Sequence, residues 1–176
     1  LANKLMIMNG CGMLTITDRH MDGFNTELVK SMGLDDKTFP AKYVLGIISR
    51  EKDKMTTPDE LLDRAEEAGD FRLLHTARAY KTYQTRLKEN NALDFDDIIF
   101  RTVELLQQYE DVRTYYQRKF RYVLVDEYQD TNSAQYLLTA LLAGGYENIC
   151  VVGDDDQSIY RFRGATIENI LNFEKH

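Results

Sequence analysis

Only two cysteines occur in the 176 residues, Cys11 and Cys150, and neither has a partner at C-x-x-C spacing. That argues against a thiolate metal centre or a disulfide framework, and for a reduced, cytoplasmic setting. No apolar run approaches the roughly 20 residues that a membrane helix needs, so no membrane partner is expected. No segment reads as a secretory leader, and no repeat or low-complexity stretch is present. Positive charge is also scarce: 22 Lys and Arg stand against 29 Asp and Glu, a net charge of −7. This balance excludes a surface that grips nucleic acid over its whole extent, though not a local basic patch.

What is present suffices for a folded core. The chain is 43% hydrophobic and 29% charged, as expected for one domain, or one with a small neighbour. It begins at Leu1 rather than Met, and is expected to be a piece of a longer protein. The first half reads as helices with clear punctuation. Met13–Thr17 alternates like a short strand, and Met21, Phe24, Leu28 and Met32 then recur at helical spacing before Gly33. Pro40 opens a helix with a stripe of Tyr43, Val44, Ile47 and Ile48. In TTPDELLDRAEEAGD, Thr57 is the predicted cap, Pro58 the first helical residue, Glu60 the reciprocal partner and Gly69 the stop. A longer helix is predicted from Phe71 to about Asn90.

The second half is more apolar. Asp94 is placed to cap a helix carrying Ile98, Ile99, Val103, Leu105 and Leu106, and a short helix is predicted over Val112–Phe120. Tyr122–Val125 is a continuous apolar run, the pattern of a parallel strand covered on both faces. A helix over Ser133–Leu142, closed by Gly144 and Gly145, leads to a second strand in NICVVGD. Strand, helix, strand at this spacing makes a right-handed βαβ unit. Both strands end in acid: Asp126-Glu127 after the first, Asp154-Asp155-Asp156 after the second. In a parallel sheet these ends share one edge, where ligands of such folds bind.

Magnesium is commonly held by one or two carboxylates together with waters and substrate phosphates. Asp126 suits that role, and Glu127 suits a base for an attacking water. The same acids also suit ordinary turns, and a receiver domain phosphorylated on Asp likewise ends a strand in acid. The segment GDDDQSIYRFRGA (Gly153–Ala165) adds an amide, two aromatics and two arginines. Tyr160 and Phe162 offer faces for base stacking, worth about 1–3 kcal/mol per base, with charge from Arg161 and Arg163. As core residues flanking a turn, the two aromatics would read the same way.

VLVDEYQDTN (Val123–Asn132) resembles motif II, the Walker B segment, of the UvrD/Rep family of superfamily 1 helicases, and VVGDDDQSIYRFRGA resembles motif III. LDFDDII (Leu93–Ile99) is similar to the conserved segment upstream of motif II. Leu34–Lys54 is similar to the family's helical insertion. The resemblance covers nearly the whole chain. It implies an α/β fold: a partial RecA-like parallel sheet preceded by a small all-helical domain, with residues 1–92 as the insertion (1B-like) and 93–176 as the latter part of the first motor domain (1A-like). It implies an ATP-dependent DNA helicase moving 3′ to 5′, with ATP and Mg2+ as cofactors and single-stranded DNA and single-strand/duplex junctions as partners. Asp126 then matches the magnesium ligand, Glu127 the catalytic base, and Gln157 the amide that senses the γ-phosphate and couples hydrolysis to DNA. Tyr160, Phe162 and Arg163 fall where the family contacts single-stranded DNA.

The sequence departs from the family pattern at Phe162, where Trp is usual, and at Tyr128, where Phe is frequent. More important, the phosphate loop G-x-x-x-x-G-K-[ST] is missing: no Gly-Lys dipeptide occurs anywhere. The loop is expected upstream and the second RecA-like domain downstream, so the chain alone is expected to be inactive. Two alternatives stay open: a motor-less nucleic-acid-binding or regulatory module, and the helicase subunit of a helicase–nuclease. A truncated sheet is also expected to expose an edge through which the chain could self-associate.

Overall fold

In a computed structural model, the described residues are Ser31, residues 39–154 and Asp156. The predicted Met13–Thr17 strand, all but Ser31 of the helix ending near Gly33, and Gln157, Tyr160, Phe162 and Arg163 lie outside them. The described chain is mostly helical with one small parallel sheet, an α/β arrangement. It divides into two compact units, residues 39–52 with 56–98, and residues 53–55 with 99–154 and 156.

The first unit is built on three helices: α1 (Ala41–Asp53), α2 (Pro58–Ala68) and α3 (Phe71–Glu89). Pro40 accepts the first helical bonds from the Tyr43 and Val44 N–H groups. Of the predicted stripe, Val44 and Ile48 are buried, whereas Tyr43 is 47% exposed. Tyr43 lies one position before Val44, about 100° round the helix, and so misses the core. The α2 punctuation follows its sequence. Thr57 Oγ1 accepts from the Glu60 N–H at 3.3 Å, and the Glu60 carboxylate accepts from the Thr57 N–H at 2.7 Å. Gly69 closes α2 at φ +61°, and the Asp70 N–H returns to the Ala65 carbonyl. The left-handed conformation explains why glycine stands there. Asp70 then caps α3, accepting from the Arg72 and Leu73 N–H groups. One two-residue joint thus ends one helix and starts the next. Phe39, Val44, Ile48, Leu61, Tyr80 and Tyr83 are central to the buried core of this unit.

Helix α4 (Phe95–Gln108) gives its first turn to the first unit and the remainder to the second. Asp94 caps it, accepting from the Asp97 N–H at 2.7 Å. In the second unit, Phe100, Val103 and Leu106 of α4 are buried. Helix α5 (Glu110–Lys119) follows; its Arg113 donates to the Leu106 carbonyl at the end of α4. Strand β1 (Val123–Val125), helix α6 (Ser133–Ala143) and strand β2 (Ile149–Val151) make the strand–helix–strand unit. Asn132 caps α6 through a reciprocal pair with Gln135. Gly144 ends α6 at φ −61°, so no left-handed turn requires glycine there. At the next residue close approach does require it: a Cβ on Gly145 would stand 2.7 Å from Gln117 Cβ, and Gln117 Nε2 donates to the Leu141 carbonyl.

The strands are parallel, with Val123, Leu124 and Val125 opposite Ile149, Cys150 and Val151. One expectation is corrected. The run at 122–125 is not covered on both faces: Val123 and Val125 are half-buried, but Leu124 is 76% exposed and Cys150 is exposed. An apolar sequence fixes the preference for burial; here α6 packs on β1, and the face bearing Leu124 and Cys150 is left uncovered.

Candidate functional site at the carboxyl edge of the sheet

The two strands end together, and their turns are stitched to each other. The Val152 N–H donates to the Val125 carbonyl at 2.8 Å, and the Tyr128 N–H donates back to the Val152 carbonyl at 2.9 Å. Beyond β1 the chain makes one 3-10 turn (Tyr128–Asp130), held by the Asp130 N–H on the Glu127 carbonyl and by Thr131 Oγ1 on the Tyr128 carbonyl. Asp126, Glu127, Asp154 and Asp156 are all exposed on these turns. The two acidic turns predicted to share one edge therefore do so.

Asp126 Oδ1 accepts from the Glu127 N–H at 3.0 Å. Glu127 sits at φ +51°, ψ +44°, a left-handed conformation uncommon for a side-chain-bearing residue. Met55, Asn91 and Glu147 share that sign of φ, so the strain is not peculiar to this turn. At Glu127, however, it stands between the end of β1 and the 3-10 turn, on an exposed residue. Tyr128 is buried, and burial, with Tyr136 nearby, pushes its phenol above the ordinary value of 10.0.

Sequence reasoning passed over Gln129. Its side chain is 1% exposed. Its Nε2 donates to Glu127 Oε2 at 2.6 Å, and its Oε1 accepts from the Asp154 N–H at 3.0 Å. One amide thus joins the carboxylate after β1 to the backbone after β2. The residue type gave a hint, because an amide offers both a donor and an acceptor; which groups it would reach was a matter of tertiary placement. Asp156 is held near Asp154 by its N–H on Asp154 Oδ1.

No group of three or more His, Cys, Asp or Glu forms a metal cage among the described residues. A cation shared with substrate phosphates needs fewer protein ligands. Asp126 fits such a role: it is an exposed hard-oxygen donor with one carboxylate oxygen engaged by a backbone N–H and the other without a hydrogen bond among the described residues. No described helix is long and apolar enough to cross a membrane.

A parallel β–α–β unit with exposed carboxylates at adjoining strand ends defines an α/β protein of the class that takes ligands at the carboxyl edge of its sheet. The family within that class is the UvrD/REP helicases, and the chain belongs to it: residues 10–176 match the UvrD/REP helicase N-terminal domain. The chain is 49% identical over 149 residues to the ATP-dependent DNA helicase PcrA of Staphylococcus epidermidis RP62A, covering 85% of this chain and 20% of the relative. It is 48% identical over 149 residues to the PcrA helicase of Staphylococcus aureus Mu50, with the same coverage. The chain therefore spans about a fifth of the length of these curated relatives.

Proposed function

We propose that this chain is part of an ATP-dependent DNA helicase, translocating 3′ to 5′ in the cytoplasm, and that the edge at Asp126 and Glu127 is half of its ATP site. The observation that carries this reading is the stitched pair of acidic turns, in a chain of the UvrD/REP family. In this reading residues 93–176 are the latter part of a RecA-like motor domain and residues 1–92 are its helical insertion. Single-stranded DNA and single-strand/duplex junctions are its partners.

Phosphoryl transfer asks the protein mainly for positioning and charge neutralisation. Asp126 would hold magnesium, which when bound supplies neutralisation of the triphosphate oxygens. Glu127 accepts a proton from the attacking water at its exposed carboxylate. Gln157 senses the γ-phosphate. Tyr160, Phe162 and Arg163 contact the single strand, the two aromatics by stacking on its bases. These roles rest on the match of each position to motifs II and III.

Glu127→Gln in the full-length protein is the test. ATP binding should persist, while hydrolysis falls by about 10²- to 10⁴-fold, the usual contribution of a positioned base. Turnover equal to wild type would remove Glu127 from that role. The 176-residue chain contains no phosphate loop, and it should show no ATPase by itself; turnover by the pure chain that Glu127→Gln abolishes would overturn this. A full-length sequence without a Gly-Lys-Thr or Gly-Lys-Ser loop would instead favour a motor-less binding module.

A further inference from the structure

The role proposed for Glu127 leaves open how an exposed carboxylate on a left-handed residue keeps one orientation. An exposed glutamate has three side-chain torsions, and fixing them costs conformational entropy. Positioning of a base within hydrogen-bond reach of a water requires that they be fixed. We propose that Gln129 is the positioning residue that holds the Glu127 carboxylate, and that it does so by anchoring it to the backbone of the turn after β2. The inference rests on the reading of Glu127 as the base.

The geometry is specific. Glu127 Oε2 accepts from Gln129 Nε2 at 2.6 Å, while Oε1 has no hydrogen bond among the described residues. One oxygen is tethered and the other remains available to a water. The amide's orientation is settled by its second partner. A backbone N–H, that of Asp154, points at one end of the amide at 3.0 Å, so that end must be the carbonyl oxygen. The –NH2 end must then face Glu127. Gln129 is itself immobilised: it is buried, it lies in a 3-10 turn, and the residue before it bonds through its backbone to Val152. A buried amide needs hydrogen-bond partners in any case, so a purely structural role is the competing account. The two accounts differ in what Gln129 acts through.

The experiment is a double-mutant cycle in the full-length protein, with ATP turnover as the readout and melting temperature as a check on folding. Gln129→Ala is the first variant. Gln129→Met is the second, because it keeps the length of the side chain if the alanine form does not fold. Either should lower kcat for ATP by about 10- to 100-fold, the scale of a misplaced catalytic group, with KM for ATP changed less than about threefold. In the Glu127→Gln background the same Gln129 substitution should change the residual single-turnover rate less than about twofold, because the group it positions is already gone. A full additional loss in that background would overturn the proposal in favour of a structural role. So would wild-type kcat in both single variants. The reading beneath it fails separately: if Glu127→Gln alone leaves turnover intact, Glu127 is not the base, whatever Gln129 does.

Discussion

Lys52 Nζ lies 2.5 Å from Asp94 Oδ2, with no part of the lysine side chain exposed. The ammonium is also 3.0 Å from Asp97 Oδ1, and it faces the rings of Tyr83 and Tyr80 at 5.1 and 5.9 Å. Tyr83 donates its hydroxyl to Asp94, and Gln84 donates to Asp97. In this way the last turn of α1 is joined to α3 and to the cap of α4. Removal of the lysine alone leaves the buried Asp97 and the half-buried Asp94 without their cation, which costs about 3–5 kcal/mol. Lys52→Met should therefore lower stability to urea by that amount. Adding Asp94→Asn and Asp97→Asn to it should recover part of the loss. A Lys52→Met protein as stable as the parent would show that the cluster is energetically idle.

The pH dependence of this cluster has a defined sign. Burial pushes the Asp97 carboxyl above its ordinary 3.8, Asp94 adds to the rise, and Lys52 and Gln84 only partly oppose it. Only between the ordinary and the native value does the folded state keep a proton that the unfolded chain has released. The contribution of Asp97 to stability is full below its ordinary value and declines as pH rises through the native one. As pH rises from the ordinary carboxyl value through the native one, the stability of the parent relative to Asp97→Asn should fall, and it should level off beyond that. A difference that grows with pH would contradict the assignment.

The joint between α5 and α6 predicts an ordering of two alanine substitutions. At Gly145 a Cβ meets Gln117 Cβ at 2.7 Å and the Gln117 carbonyl oxygen at 3.2 Å, whereas at Gly144 the nearest atom is the far end of the Gln117 side chain, Nε2, at 3.1 Å. Gly145→Ala should cost about 1–3 kcal/mol, the usual range for overpacking. Gly144→Ala should cost clearly less. Thermal denaturation of the two variants side by side checks the ranking.

At Glu127 the backbone conformation can be separated from the carboxylate. Glu127→Gly and Glu127→Ala both remove the bond to Gln129, but only alanine retains the left-handed penalty. The glycine variant should be more stable than the alanine variant by about 1 kcal/mol. Equal melting temperatures would mean that the turn relaxes out of φ +51° once the side chain is gone.

How much of this was legible in the sequence follows from the range of the interactions. Thr57, Glu60, Gly69 and Asp70 were readable as caps because capping is decided within four residues. The strand–helix–strand order and its acidic ends were readable for a similar reason: hydrophobic period and turn chemistry are local, and parallel pairing then places both ends on one edge. Tyr43 was misplaced because its apolar character says nothing of the angle at which α1 meets its core. Leu124 was misplaced because an apolar run looks the same whether or not anything covers it. Gln129 and the Lys52 cluster were invisible, since each joins residues 25 or more apart. Tyr160, Phe162, Arg161 and Arg163 suggested base stacking and positive charge by their chemistry, and only the family motif turned that into an expectation of DNA contact; all four lie outside the described residues.

The register that pairs Leu124 with Cys150 sets a sulfur in the middle of the bare strip, on the strand that leads to Asp154. That thiol is a built-in gauge. The rate at which a small uncharged alkylating reagent modifies Cys150, compared between this chain and any longer protein that contains it, measures directly how completely that strip is shielded once the remainder of the polypeptide is in place.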